Sequence, residues 1–137
     1  MSADVDATAN GPRLTIGQLS DRTGASHRSL RHYEAQGLLS SQRGPNGYRS
    51  YGEEAVEVVL RIKALLALGL SLRAVDRVLP CVRSSGHRVI AASACPELRQ
   101  TLDAQLAHLT AIESKVRETR HAITSVLNAT SEPRTRA

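Results

Sequence analysis

Leu14 to Tyr51 reads LTIGQLSDRTGASHRSLRHYEAQGLLSSQRGPNGYRSY, and it holds two short helix patterns followed by a hairpin pattern. Thr15 and Gln18 stand three apart, the spacing of a capping box in which hydroxyl and amide each satisfy a backbone N–H of the first helical turn. Ile16 and Leu19 then face inward. Thr23-Gly24-Ala25 supplies a tight turn, because Gly24 can take the left-handed conformation that ends a helix, and the result is helix-turn-helix spacing. Ser26 caps the second helix, whose apolar side is Leu30 with Tyr33. Its other side carries His27, Arg28, Ser29, Arg31 and His32, a cationic, donor-rich face suited to a phosphate-lined groove. Past Gly37, Asn46-Gly47 is a strong hairpin signal, since both residues tolerate positive φ. Arg43, Tyr48 and Arg49 flank that hairpin, which reads as a wing beside a recognition helix.

The three aromatics of the chain, Tyr33, Tyr48 and Tyr51, all fall in this stretch. A core built on aromatics would have spread them. The run TIGQLSDRTGASHRSLRHYEAQGLL, then RGPNGYRSY, then a helix ending in LGLSL, resembles the winged helix-turn-helix domain of the MerR family of bacterial transcription regulators. The -LRHYE- and -GYRSY- pieces carry the likeness most specifically, and it extends from Leu14 to about Leu79. The resemblance implies a cytoplasmic homodimer on an inverted-repeat promoter element in double-stranded DNA. It further implies control of transcription by distortion of the DNA between the promoter boxes, where RNA polymerase is the partner. By the same likeness the Ser26–Gln36 helix enters a major groove. Arg28 and Arg31 read bases or phosphates there, with His27 and Tyr33 beside them, while Arg43, Tyr48 and Arg49 hold the backbone and Arg61 and Lys63 add weaker contacts.

Charge agrees with such a partner. The 137 residues carry 18 Lys and Arg against 13 Asp and Glu, a net +5. All the bases except Lys63 and Lys115 are arginine, the side chain suited to bidentate contacts with phosphate and guanine. Between Arg22 and Arg49 five arginines face one acid, Glu34. The polar, acidic start MSADVDATANG lacks the order of a signal peptide, and the longest apolar run, Ala64–Leu70, is too short to span a bilayer. A cytoplasmic protein without a membrane partner is expected, of a size for one globular domain and an appendage.

Residues 1–13 hold few large apolar groups and are expected to form a mobile arm. The winged head is expected over 14–80. Within it Glu53-Glu54 open a third helix with Val56, Val59, Leu60, Lys63, Leu66 and Ala67 along its stripe and Gly69 at its end, and Ser71 caps a fourth that Pro80 stops. Residues 81–95 show no clear period and read as a linker with a loose turn. From Pro96 to Asn128 no Pro or Gly interrupts, which predicts a helix of roughly 50 Å at ~1.5 Å per residue. Leu98, Leu102, Leu109, Ile112, Val116, Ile123 and Val126 repeat as the a and d positions of a heptad, with Gln105 and Thr119 in the remaining seam positions. A seam that long requires a second copy, and the resemblance implies an antiparallel pairing. Residues 129–137 are read as a flexible tail. The fold class is all-α with a small β-hairpin wing.

No Gly-rich phosphate loop, nucleophile elbow or paired carboxylates appear, so an enzyme is excluded and no cofactor is expected. Cys81, His87 and Cys95 are the candidate soft-metal ligands, but three groups fall short of a closed zinc site, so no metal is expected. A reducing setting would keep both cysteines as thiols, packed structurally. The rival readings are an architectural or excisionase-like accessory DNA binder, against which the long seam argues, and a thiol- or metal-responsive sensor built on Cys81 and Cys95.

Overall fold

The computed structural model describes residues 13–85, 88–91 and 95–131; all of the expected arm but Arg13, together with His87 and the end of the tail, lies outside them. Helix α1 spans Ile16–Thr23 and α2 His27–Ala35, and the caps between them are those the sequence specifies. Thr15 Oγ1 accepts from Gln18 N at 3.1 Å, and Gln18 Oε1 accepts from Thr15 N at 2.9 Å, so both halves of the capping box are made. Gly24 ends α1 at φ 78°, and a Cβ there would also lie 2.9 Å from Lys63 Nζ, so only glycine suits the turn. Ser26 Oγ accepts from Ser29 N at 3.0 Å and opens α2.

Strands β1 (Gln42–Arg43) and β2 (Arg49–Ser50) pair antiparallel, Gln42 with Ser50 and Arg43 with Arg49. The turn closes through Gly47 N to Gly44 O and Gly44 N to Tyr48 O, both 2.9 Å, with Gly47 at φ 83°. Leu14 and Tyr51 then bridge with bonds of 2.7 and 2.8 Å, fastening the wing's return to the start of the head.

Helix α3 covers Glu54–Leu66, with Glu54 and Glu57 in its first turn where the dipole favours negative charge. Its buried face is Ala55, Val59, Ile62, Ala64 and Leu65, whereas Val56, Leu60 and Leu66 are only partly covered. The expected stripe was therefore out of phase. Apolar residues occur almost all round this helix, so spacing alone admits more than one stripe, and packing against α1 and α4 selects one. Helix α4 (Leu72–Val78), capped by Ser71, runs into a single 3-10 turn at Leu79–Cys81.

Residues expected to be a loose linker form a second hairpin. Strands β3 (Val82–Ser85) and β4 (Arg88–Ala91) pair in register from Val82–Ala91 to Ser85–Arg88, and both lie against α3. The hairpin returns the chain to its starting point. There Cys81 and Cys95 are joined by a disulfide with Cα atoms 6.0 Å apart, which corrects the expectation of two free thiols.

The core of the head gathers Leu19, Leu30, Tyr51, Val59, Ile62, Leu65, Val75, Val78 and Val82 at almost no exposure. Helix α5, Pro96–Ser131, is 36 residues long and begins one residue after Cys95. The chain divides into two compact units, residues 1–98 and 99–137. In the second, Leu109, Ile112, Val116, Ile123 and Val126 are 45–64% exposed along one stripe.

Candidate nucleic-acid interface

The two faces of α2 are chemically opposite. Leu30 and Tyr33 are buried, and His27, Arg28, Arg31 and His32 are exposed at the i, i+1, i+4, i+5 spacing that places them together. Ser26 at the N-cap leaves the first turn of α2 open to solvent, where its N–H groups favour an anion. Across the wing Arg43, Tyr48 and Arg49 are exposed, Tyr48 at 74%. Arg43 Nη1 donates to Gly47 O at 3.2 Å, which folds its stem over the turn.

Glu34 joins helix to wing. Its Oε1 accepts from Tyr51 Oη at 2.8 Å and its Oε2 from Ser41 Oγ at 2.9 Å, and Oε2 lies 3.6 Å from Arg49 Nε. Burial of the phenol, together with the hydrogen bond from Tyr51 to this carboxylate and the nearby negative charge, pushes the Tyr51 pKa up to about 12; Arg49 and Arg31 oppose the shift. Tyr33 is also raised, by burial. Arg13 braces the wing from the other end, its Nε donating to Ser50 Oγ at 3.0 Å and Nη2 to Ser50 O at 2.8 Å.

Several residues expected at the interface hold the scaffold instead. Tyr33 is 6% exposed and belongs to the core. Arg61 is mostly covered and donates from Nη1 to the carbonyls of Leu79 and Val82, 3.3 Å each, tying α3 to the second hairpin. Lys63 Nζ donates to Thr23 O at 2.7 Å, satisfying a carbonyl at the C-terminus of α1. Leu98 is 8% exposed in the head's core, so the exposed seam begins at Leu102. His27, Arg28, Arg31, Arg43, Tyr48 and Arg49 remain as the exposed set.

Glu34 and Arg13 were not anticipated. The one signal for Glu34 was its isolation among five arginines, which marks an acid with a partner but not which partner. Arg22, another scaffold residue, donates from Nη1 to both carboxylate oxygens of Glu53, each at 2.8 Å, with both side chains half exposed. Among the described residues no group of three or more His, Cys, Asp or Glu could hold a metal, and both cysteines are engaged with each other. His87 lies outside the described residues. No helix among those described is long and apolar enough to cross a membrane.

Comparison with known proteins agrees with this arrangement. Residues 14–81 match the family of MerR HTH regulatory proteins. The chain is 42% identical over 74 residues to the nodulation protein NolA of Bradyrhizobium elkanii, 53% of this chain but 34% of that one. It is 30% identical over 105 residues to the HTH-type transcriptional regulator HmrR of Rhizobium leguminosarum bv. viciae, covering 77% of this chain and 74% of that one. A crystal structure of a MerR-family transcriptional regulator from Bacillus cereus shares the fold at TM-score 0.65 and 20% identity, over 91% of this chain and 88% of that one. The chain thus spans about a third of NolA and most of HmrR. The matched family is one of transcription regulators, which are not enzymes, and the match to HmrR covers most of both proteins. The chain is a member of the MerR helix-turn-helix family of regulatory proteins.

Proposed function

We propose that the protein acts in the cytoplasm as a homodimer that binds an inverted-repeat promoter element and controls transcription by distorting the DNA presented to RNA polymerase. The observation that carries this reading is the exposed cationic face of α2, His27, Arg28, Arg31 and His32, held beside the basic wing by Glu34. A helix with its donors outward and a flanking loop of arginines suits a major groove with phosphates on either side. Arg28 and Arg31 reach base edges or phosphates, and Arg43, Tyr48 and Arg49 grip the backbone.

The second copy is recruited by the stripe on α5, which is apolar and open to solvent from Leu102 to Val126. Leu106 and Leu127, 64% and 60% exposed, flank the seam in one heptad position together with Glu113 and Arg120. An antiparallel pair centred near Val116 and Arg117 sets Leu106 beside the partner's Leu127 and Glu113 beside the partner's Arg120. Sliding it a heptad either way opposes two glutamates or two arginines, and a parallel pair opposes Lys115 to the partner's Arg120. Two heads held at a set separation then impose a spacing and bend on their site.

Footprinting of the purified chain on the promoters nearest its own gene, with sedimentation at the same concentrations, tests the reading. Symmetric protection by a dimer is expected. A monomer at micromolar concentration, or binding with no preference for an inverted repeat, overturns it.

A further inference from the structure

Glu34 is the one acid between Arg22 and Arg49, and its carboxylate reaches both roots of the wing. Ser41, just before β1, and Tyr51, just after β2, donate to its two oxygens at 2.9 and 2.8 Å. The acid is thereby fixed. Arg49 is held differently: its Nε stands 3.6 Å from Glu34 Oε2, too far for a hydrogen bond, and its side chain is 40% exposed against 20% for Glu34. Charge alone keeps it there. Arg49 also faces Arg43 across the two-stranded wing, and like charges directly opposite each other are unfavourable unless an anion lies close by. In the free protein Glu34 supplies that anion. At a duplex a phosphate offers the same charge and the same oxygen acceptors to the same guanidinium.

We infer that Glu34 is a positioning residue that stands in for a DNA phosphate: its carboxylate holds Arg49 in the free protein, and duplex DNA draws Arg49 from carboxylate to phosphate. The inference rests on the DNA-binding reading above. A part-exposed ion pair is weak, so a phosphate can displace it. Ser41 and Tyr51 keep the carboxylate where it is while Arg49 leaves, so the wing stays aimed beside α2 and the exchange is confined to one guanidinium. The pair is given up whatever the base sequence. Glu34 therefore lowers affinity for every duplex by one common factor, and base preference is left to α2.

The test uses the full chain with two duplexes, one of unrelated sequence and one taken from the footprinted promoter. Glu34→Gln keeps an acceptor for Tyr51 and can donate to Ser41 while removing the charge. It should bind both duplexes more tightly than wild type by the same factor, about fivefold, which is the order of one part-exposed ion pair. That gain should shrink as salt rises, because salt screens the pair it competes with in wild type. In the Arg49→Ala background the same substitution should give no gain, which separates competition for Arg49 from plain repulsion between Glu34 and phosphate. The side-chain carboxyl 13C resonance of Glu34 reads the exchange in wild type without any substitution, and it should move when DNA is added. Equal or weaker binding by folded Glu34→Gln, a gain that survives the loss of Arg49, or a carboxyl resonance that DNA leaves in place overturns the proposal. A wild-type chain that binds neither duplex overturns the DNA-binding reading itself, and the exchange falls with it.

Discussion

Single side chains in the head divide into those that reach outward and those that aim them. Arg31 is exposed on α2, so Arg31→Ala should cost ~1–3 kcal/mol of specific binding and change the base preferred at one position. Arg49 lies on the wing. Its loss should weaken binding to all sequences alike and lower the salt slope by about one unit. Titrations of both variants on matched and mismatched operators at several salt concentrations separate the roles. Unchanged affinity in both contradicts the interface. Tyr51 is an aiming residue, and its raised pKa gives it a pH signature. The folded phenol, at about 12, lies above its ordinary value of 10.0. Its contribution is thus fully present below pH 10 and is lost as pH rises through about 12. Unfolding followed across that window should show the head weakening, and Tyr51→Phe should flatten this part of the profile while costing ~1–2 kcal/mol at neutral pH for the bond to Glu34. A wild-type profile flat to pH 12 contradicts the assignment.

Among the elements, α5 was the most legible in outline and the least in detail. An uninterrupted run after Pro96 and a sustained heptad are enough to specify a long helix, and it reaches Ser131, three residues past the expected end. Glu or Lys at Leu109 or Val116 should dissociate the proposed dimer at micromolar concentration and reduce operator affinity with it, because a charge would enter the seam unpaired. The register has its own test. Glu113→Arg and Arg120→Glu should each weaken self-association and the two together restore it, since the swap preserves the cross-pair. Sedimentation of all three decides it, and a double variant weaker than either single one refutes the register while leaving dimerisation standing. Strands β3 and β4 show the opposite case. The run 82–91 carries no strict alternation, so nothing local separates it from a loop, and its residues 82–85 and 88–91 are paired strands because both lie against α3.

For the molecule as a whole, the disulfide closes a loop over 14 positions of sequence separation. The chain-entropy argument gives ~3 kcal/mol for a loop of that size, so reduction should lower the unfolding free energy of the head by about that amount. Urea titrations of oxidised, reduced and doubly Ser-substituted protein check this. A reduced form as stable as the oxidised one would show that the hairpin and Leu98 already hold the junction. The same protein should lose operator affinity steeply as salt rises, because an interface of arginines and histidines displaces counterions from phosphate.

The sequence alone determined what depends on near neighbours in the chain: the caps at Thr15 and Ser26, the turns at Gly24 and Gly47, the cationic face of α2, the heptad of α5. Each is settled within a few residues by backbone sterics, capping chemistry or periodicity, so a local pattern suffices. Tertiary structure decided what depends on contacts between distant residues. It turned the stripe of α3 onto Ala55, Val59 and Ile62 and drew Tyr33 and Leu98 into the core. It made Arg61 and Lys63 donors to backbone carbonyls 18 to 40 positions away. It also set Glu34 against Tyr51 and Ser41, and brought Cys81 to Cys95. A charged or apolar side chain specifies that it needs a partner, and only the packed chain supplies which one.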